Sequence, residues 1–352
     1  SENGLVGTLP DEVGALQYLE QLRVFGNGLG GPVPRGVLRL KNLHTLYMDG
    51  NQLTGRIPND ISNLTSLEHL HLDNNKFSGP IPNDIGDLDR LTDLRLSNNA
   101  LTGEFPIEII NVPRLETLLL DSNFIEGELP RELVDMANLR VLRLHENEFI
   151  GKLPSLGSME GLEELHLDGN AFSGSMPDDL APSSLRELIL SKNYLSGKIS
   201  ESGVGGLRAL QDLRLSDNSF TGRIPGTIRN LADLRRLELD GNSLTGPVPE
   251  AVAELVALET LTLNDNALTG NLPEGLGQLA LLQRLHVENN KLTGELPADI
   301  VLLRELVEFT MEGNGLTGSV PQPICNLNME VLRADCNGDV PKIRCDCCNN
   351  CD

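Results

Sequence analysis

Apolar residues along this chain come in short alternating bursts that recur at a fixed interval. The stretch Ser62 to Pro82 reads SNLTSLEHLHLDNNKFSGPIP, in which His69, His71 and Asp73 alternate with Leu70 and Leu72. Such alternation predicts a strand with one wet face and one dry face. Each burst closes on an asparagine. Asn3, Asn27, Asn51, Asn75, Asn99, Asn123 and Asn147 fall 24 residues apart, Asn170 and Asn193 follow at steps of 23, and Asn218 at 25. Asn242, Asn266, Asn290 and Asn314 resume the step of 24. LxxLxL or a close variant precedes each asparagine after the first, and xLxGxhP, with h apolar, follows it, as in Gly55-Arg56-Ile57-Pro58 and Gly246-Pro247-Val248-Pro249. A period of this length predicts a repeat array, each repeat laying one strand beside the last with its leucines inward. The asparagine side chain is placed to satisfy backbone groups where the chain leaves the strand. The glycine permits a tight turn, and the proline cannot continue a ladder. The IGxLxxL segment, Ile85 to Leu91, predicts a short helical return on the opposite side.

The LxxLxLxxNxLTGxIP pattern resembles the plant-type leucine-rich repeat, known from receptor ectodomains and from secreted inhibitors such as polygalacturonase-inhibiting proteins. The resemblance covers residues 1 to about 324. It implies an α/β solenoid: a right-handed superhelix with a parallel concave sheet, in about 14 repeats of 23–25 residues. At about 4.8 Å per strand that is roughly 65 Å of sheet.

The centre is less regular. Ser200, in GKIS, is the only break in the proline column, and Ala181-Pro182-Ser183-Ser184 replaces the usual return. Drift on a tolerant loop explains this, and a local change of curvature is the alternative.

Composition narrows the partners. Lys and Arg total 28 against 51 Asp and Glu, a formal charge of -23. That argues against nucleic acid and anionic membranes. No apolar run approaches the roughly 18–20 residues that span a bilayer, and no signal segment opens the chain. Ser1-Glu2-Asn3-Gly4-Leu5 begins in mid-repeat, so an N-terminal cap or further repeats are expected upstream, where any membrane anchor would also lie. With Asp352 as the terminus, no kinase would follow.

All the cysteines, Cys325, Cys336, Cys345, Cys347, Cys348 and Cys351, lie in residues 325–352. Solenoid ends need caps, and this segment reads as a disulfide-stapled one in an oxidising compartment. Fifteen pairings are open, and the rival is zinc held by CDCCNNC. This ADC…C-x-CC-x-x-C ending resembles C-terminal caps of leucine-rich-repeat proteins from diatoms and related algae. Asn63-Leu64-Thr65 is a glycosylation sequon on the return side.

Counted back from each asparagine, positions −6, −4, −2 and −1 are expected on the concave face. Position −4 reads Arg23, Tyr47, His71, Arg95, Leu119, Arg143, His166, Ile189, Arg214, Glu238, Thr262, His286, Thr310, of which seven of thirteen are Arg or His. Position −2 reads Phe25, Asp49, Asp73, Ser97, Asp121, His145, Asp168, Ser191, Ser216, Asp240, Asn264, Glu288, Glu312, of which seven are acidic and none is Lys or Arg. Contacts are expected both for same-face pairs within a strand, such as His71–Asp73 and His166–Asp168, and for diagonal neighbours on adjacent strands. Two binding patches stand out: Phe25, Tyr47, His71 and Arg95, and then Leu119, Arg143, His145, His166 and Ile189. Asp121, His145 and Asp168 share one row, but no ligand loop accompanies them and no metal site is assigned.

No GxSxG, HExxH, P-loop or GxGxxG motif stands in strand-to-helix context, and no nucleophile is framed by the histidines. No cofactor is implied. The expected function is extracellular, non-enzymatic recognition of a protein, peptide or glycan on the concave face. The alternatives are a self-associating wall or matrix protein and an inhibitor of a secreted wall-degrading hydrolase. Ice binding is disfavoured because the exposed columns are charged and irregular.

Overall fold

A computed structural model describes residues 2–180, 182–327, 329–337 and 342–351. Ser1, Ala181 and Asp352, which bear on the expectations above, lie outside the described residues. The chain divides into two compact units, Ser1–Phe172 and Ser173–Asp352. Each is an α/β solenoid with two parallel sheets.

The first sheet is built from the LxxLxL segments. In the first unit its strands are Gln21–Arg23, Thr45–Tyr47, His69–His71, Asp93–Arg95, Thr117–Leu119, Val141–Arg143 and Glu164–His166. In the second unit they run from Glu187–Ile189 through Asp212–Arg214, Arg236–Glu238, Thr260–Thr262, Arg284–His286 and Glu308–Thr310 to Val331–Ala334 and Asn350–Cys351. Pairing is in register within each unit, so equivalent positions form straight rows: Tyr47 faces His71, His71 faces Arg95, and Leu119 faces Arg143. The alternation of dry and wet positions holds, with Leu70 and Leu72 fully buried and His69 and His71 half-buried. Each such leucine contributes about 1.5–3 kcal/mol of burial.

The second sheet is not anticipated by the pattern. The LxG segments after each asparagine pair with one another, as in Lys76–Gly79 with Ala100–Glu104 and Thr293 with Gly315. The glycine expected to make a turn lies inside or at the end of these strands, with positive φ (Gly222, +80°). The vacant Cβ position has a second use, because the Lys198 side chain of the preceding repeat runs across Gly222 only 3.0 Å from where a Cβ would sit.

The expected helical returns are mostly single 3-10 turns, such as Asn59–Asn63 and Asn83–Asp87. A proline stands before each of these two in extended conformation (Pro58, φ −74°, ψ 142°). Its missing N–H costs nothing there. At Ser200 the return becomes an α-helix, Glu201–Gly205, whose N-terminus Ser200 caps by accepting from Gly203 N. The break in the proline column is therefore a capping site with its own hydrogen bond.

The asparagines form an internal ladder. Asn123 Oδ1 accepts from Leu101 N at 3.0 Å, and its Nδ2 donates to Leu96 O, Leu120 O and Asp121 O at 3.0–3.1 Å. Each asparagine thus ties its own strand end to the preceding repeat. The residue before it is left-handed throughout. Gly26, Gly50, Gly169, Gly241 and Gly313 take positive φ, and so do Asn74, Asn98, Ser122, Glu146, Lys192, Asp217, Asp265 and Asn289.

The cap at the end of the second unit holds three disulfides: Cys325–Cys347, Cys336–Cys351 and Cys345–Cys348. They position Asn350–Cys351 against Val331–Ala334, and Ile343–Arg344 closes the second sheet against residues 318–319. Three disulfides use all six cysteines, so the zinc alternative fails for want of a thiolate.

Candidate functional site

The exposed face of the first sheet carries the charged rows, and its chemistry follows from which rows meet. In the first unit, Tyr47 is the centre of an aromatic and cationic stack. Its ring lies parallel to His71 (centroids 4.0 Å apart, 8° between planes), while Phe25 and His69 meet it edge-on at 6.5 Å. The Arg23 guanidinium sits 5.2 Å from the Tyr47 centroid, within cation–π range. Beyond His71 the stack runs into an ionic cluster. His71 Nε2 lies 2.8 Å from Asp93 Oδ2, and Arg95 Nε and Nη2 donate to the same carboxylate at 3.0 Å. The side chains of His71 and Asp93 are only 12% and 15% exposed, so this contact is sheltered from solvent screening. Burial alone would raise the Asp93 pKa, but the His71 and Arg95 hydrogen bonds more than offset it and hold it below the usual carboxylate value. Asp93 in turn raises the Arg95 pKa.

The first predicted patch is therefore a contiguous assembly, wired through the diagonal contact rather than the within-strand pair. His71 does not pair with Asp73 on its own strand; it pairs diagonally with Asp93, at position −6 of the next. Adjacent parallel strands bring position −4 of one beside position −6 of the next, and Asp93 offers a carboxylate already shared with Arg95. Asp73 instead accepts from Asn74 at 2.6 Å. The same diagonal recurs at Arg143–Glu164 (2.6 Å) and His286–Glu308 (3.0 Å). Arg214 bonds Asp212 at 2.8 Å within its own strand, and Arg236 reaches that carboxylate at the same distance. Where position −6 is acidic, as at Asp93, Glu164, Asp212 and Glu308, it is thus the anionic partner of the cationic column. The signal was present in the sequence as acids two residues before, or one repeat after, an Arg or His.

The second predicted patch is more closed. Leu119 is half-buried in the row between Arg95 and Arg143. His166 and Ile189 are only 8% and 9% exposed, against the expectation of open surface. His166 is flanked by Arg143 in its row and by the His145 ring, 6.0 Å away. Ile189, in the second unit, faces Arg214. His145 Nε2 stands 3.6 Å from Asp121 Oδ2, and Ser97 Oγ donates to Asp121 Oδ1 at 2.5 Å.

Carboxylates on this face are not all relieved. Asp49 has a raised pKa, from burial first and then from repulsion by Asp73. Glu238 and Glu312 are raised by burial. Away from this face, a hollow of about 1050 Å³ in the second unit lies beside the second sheet and the Ser200 cap, lined by Met176, Asp178, Ser200, Ser202, Arg223 and Pro225 among others. Asn63 is exposed at the end of its 3-10 turn. No helix among the described residues is long and apolar enough to cross a membrane.

Comparison with known proteins agrees with this architecture. Residues 2–101 match a model described as a leucine-rich repeat region, residues 183–244 match a leucine rich repeat, and further single repeats match at 161–182, 257–279 and 281–303. No curated protein matches. Among solved structures, a complex of PEPR1 with AtPEP1 is 33% identical, with a TM-score of 0.89 over 95% of this chain and 48% of that one. The Arabidopsis receptor kinase HAESA, in complex with the peptide hormone IDA and the co-receptor SERK1, is 28% identical, with a TM-score of 0.70 over 95% and 65%. A leucine-rich-repeat protein of Leptospira interrogans is 30% identical, with a TM-score of 0.66 over 92% and 91%. The chain thus spans about half the length of the first of these and less than two thirds of the second.

Proposed function

The chain belongs to the leucine-rich-repeat family, and we propose that it is an extracellular, non-enzymatic recognition module that binds a peptide or protein on the exposed face of its first sheet. The observation that carries this reading is the Arg23–Phe25–Tyr47–His71–Asp93–Arg95 assembly. It puts a preformed aromatic surface next to fixed charges on rigid strands, the combination that anchors a partner side chain with little ordering cost. The Arg143 region extends that face within the first unit. The HAESA structure is a complex with the peptide hormone IDA, which supports a peptide as the ligand class. The three disulfides fit an oxidising, extracellular setting. In this reading residues 1–324 form the repeat array and residues 325–352 its cap.

The test is a pull-down from the cell-surface and secreted fraction of the source organism. Wild type is compared with a Tyr47→Ala/Arg95→Ala/Arg143→Ala variant of matched thermal stability. A partner held by wild type and lost by the variant supports the reading. Equal capture by both moves the site off this face. Recovery of the protein alone favours self-association.

A further inference from the structure

In the second unit, the residue after the left-handed glycine of each LxG segment forms one row along the second sheet, reading Ser175, Lys198, Arg223, Pro247, Asn271 and Glu295. Lys198 and Arg223 stand next to each other in it. Both side chains are laid across the glycine of the following repeat. Lys198 Cγ, Cδ and Cε lie 3.0, 3.5 and 3.7 Å from where a Cβ on Gly222 would sit, and Arg223 Cγ, Nε and Cδ lie 3.0, 3.1 and 3.3 Å from the same point on Gly246. The absent Cβ is thus a groove that seats each stem, and the Lys198 stem crosses the residue immediately before Arg223. Among the described residues neither cation forms an ion pair or donates a side-chain hydrogen bond. In the same unit Arg214, Arg236 and Arg284 each sit on a carboxylate of the first sheet. Neighbouring like charges repel, and this pair is left without a counter-charge in a chain with 51 acids against 28 Lys and Arg.

Both cations line the hollow of about 1050 Å³, which runs over four repeats from Ser175 to Pro249. Its apolar floor is Met176, Ile199 and Ile224, all buried. Its wall is rich in hydroxyls, from Ser175, Ser200, Ser202 and Thr245. The acids lining it are Asp178 and Glu201, and neither pairs with Lys198 or Arg223. Asp178 accepts instead from Ser200 Oγ and from Ser202 Oγ, the latter at 3.1 Å, which fixes an acceptor across from the cations. The strands along the hollow, Tyr194–Lys198, Ser219–Gly222 and Ser243–Gly246, are each paired on both sides. They offer no free edge to a peptide backbone.

We infer that this hollow binds a saccharide carrying a tetrahedral oxyanion, a sulfate or phosphate ester, which Lys198 and Arg223 hold together while the sugar hydroxyls meet Asp178 and the serines. Such an ester turns several oxygens outward, enough for the planar Arg fork and the Lys point charge at once. A carboxylate has two oxygens in one plane, and a single Arg takes up both. The sugar body follows from the wall, where hydroxyls both donate and accept and Asp178 accepts. Because the two stems are already seated on glycines, little side-chain freedom is lost on binding. The site is separate from the first-sheet face and stands or falls without it.

The experiment titrates the full chain by calorimetry, at fixed ionic strength, with galactose sulfate, galactose phosphate, galacturonate, galactose and inorganic sulfate. Wild type is compared with Lys198→Gln/Arg223→Gln, whose side chains are exposed and unpaired, so that the fold is kept. Lys291→Gln/Arg304→Gln removes the same charge from exposed positions of the same unit outside the hollow. Thermal melts confirm that all three are equally folded. The expected result is that one of the two esters binds at least about tenfold tighter than galacturonate, galactose or inorganic sulfate, the tighter ester identifying the oxyanion. Its affinity should fall at least about tenfold on Lys198→Gln/Arg223→Gln and less than about twofold on the Lys291/Arg304 control. Equal losses on both variants would reduce the effect to net charge and overturn the inference. Galacturonate bound as tightly as the esters would overturn the tetrahedral group, and inorganic sulfate bound as tightly would overturn the saccharide. No binding of either ester would overturn the site.

Discussion

At the scale of single residues, the protein depends on side chains that serve the backbone before they serve a partner. Asn123 shows this: four backbone groups lose a partner if its amide is removed. The carbonyls of Leu96, Leu120 and Asp121 keep donors from Asn99, Asn147 and Asn98, so the main group left unsatisfied is Leu101 N, and Asn123→Ala should lower the unfolding free energy by about 1–3 kcal/mol in a urea melt. The left-handed column gives the opposite sign. Lys192 holds φ +56°, a conformation that costs an L-residue about 1–2 kcal/mol. Lys192→Gly should therefore be stabilising by about 0.5–1 kcal/mol, part of the relief being returned as chain entropy. The shifted carboxylates predict a pH dependence. Asp93 has a depressed folded-state pKa, so its stabilisation is present above the unfolded carboxylate value of about 3.9 and is lost as pH falls through the folded one. Asp49 is raised, so it costs stability at neutral pH, and that cost fades as pH falls through its raised value. Asp49→Asn should melt higher than wild type at pH 7 and converge with it below about pH 4. Asp93→Asn should melt lower at pH 7. Thermal melts of both at two pH values check the signs.

At the scale of elements, the first sheet was legible and the second was not. Strand, asparagine and inward leucines all follow from one period-two burst whose register the next repeat copies. The LxG segment carries only one buried side chain between a glycine and a polar neighbour, which is too little alternation to announce a strand. It pairs because the first sheet has already brought successive segments side by side. Ser200 was legible only as an anomaly, since its meaning lies in the Gly203 N–H that it caps. Ser200→Ala should cost about 1 kcal/mol, read by chemical denaturation of the folded chain. The cap likewise revealed its cysteines but not their pairing. Cys325–Cys347 closes a 22-residue separation, whereas Cys345–Cys348 closes 3. Removing the first with a Cys→Ser pair should destabilise by about 3 kcal/mol, and removing the second by clearly less.

At the scale of the whole molecule, the sequence identified which residues share the exposed face of the first sheet but not how they pair. A column of Arg and His beside a column of acids looks like two complementary halves of a binding surface. The structure shows that the cations are largely committed to carboxylates at position −6, and among the described residues the Tyr47 assembly joins aromatic surface to fixed charge. His166 and Ile189, singled out by residue type, are closed off by their neighbours, which no count of positions along one strand can reveal. The central claim is that a partner sits on the first-sheet face. Hydroxyl-radical footprinting of the chain with and without its captured partner tests it most directly, because reactive rings stand on both the first and the second sheet. Phe25, Tyr47 and His71 should lose reactivity when the partner binds, while Phe124 and Tyr194, 53% and 68% exposed on second-sheet strands, stay unchanged. Protection of Phe124 or Tyr194 with Tyr47 still fully reactive would contradict the account.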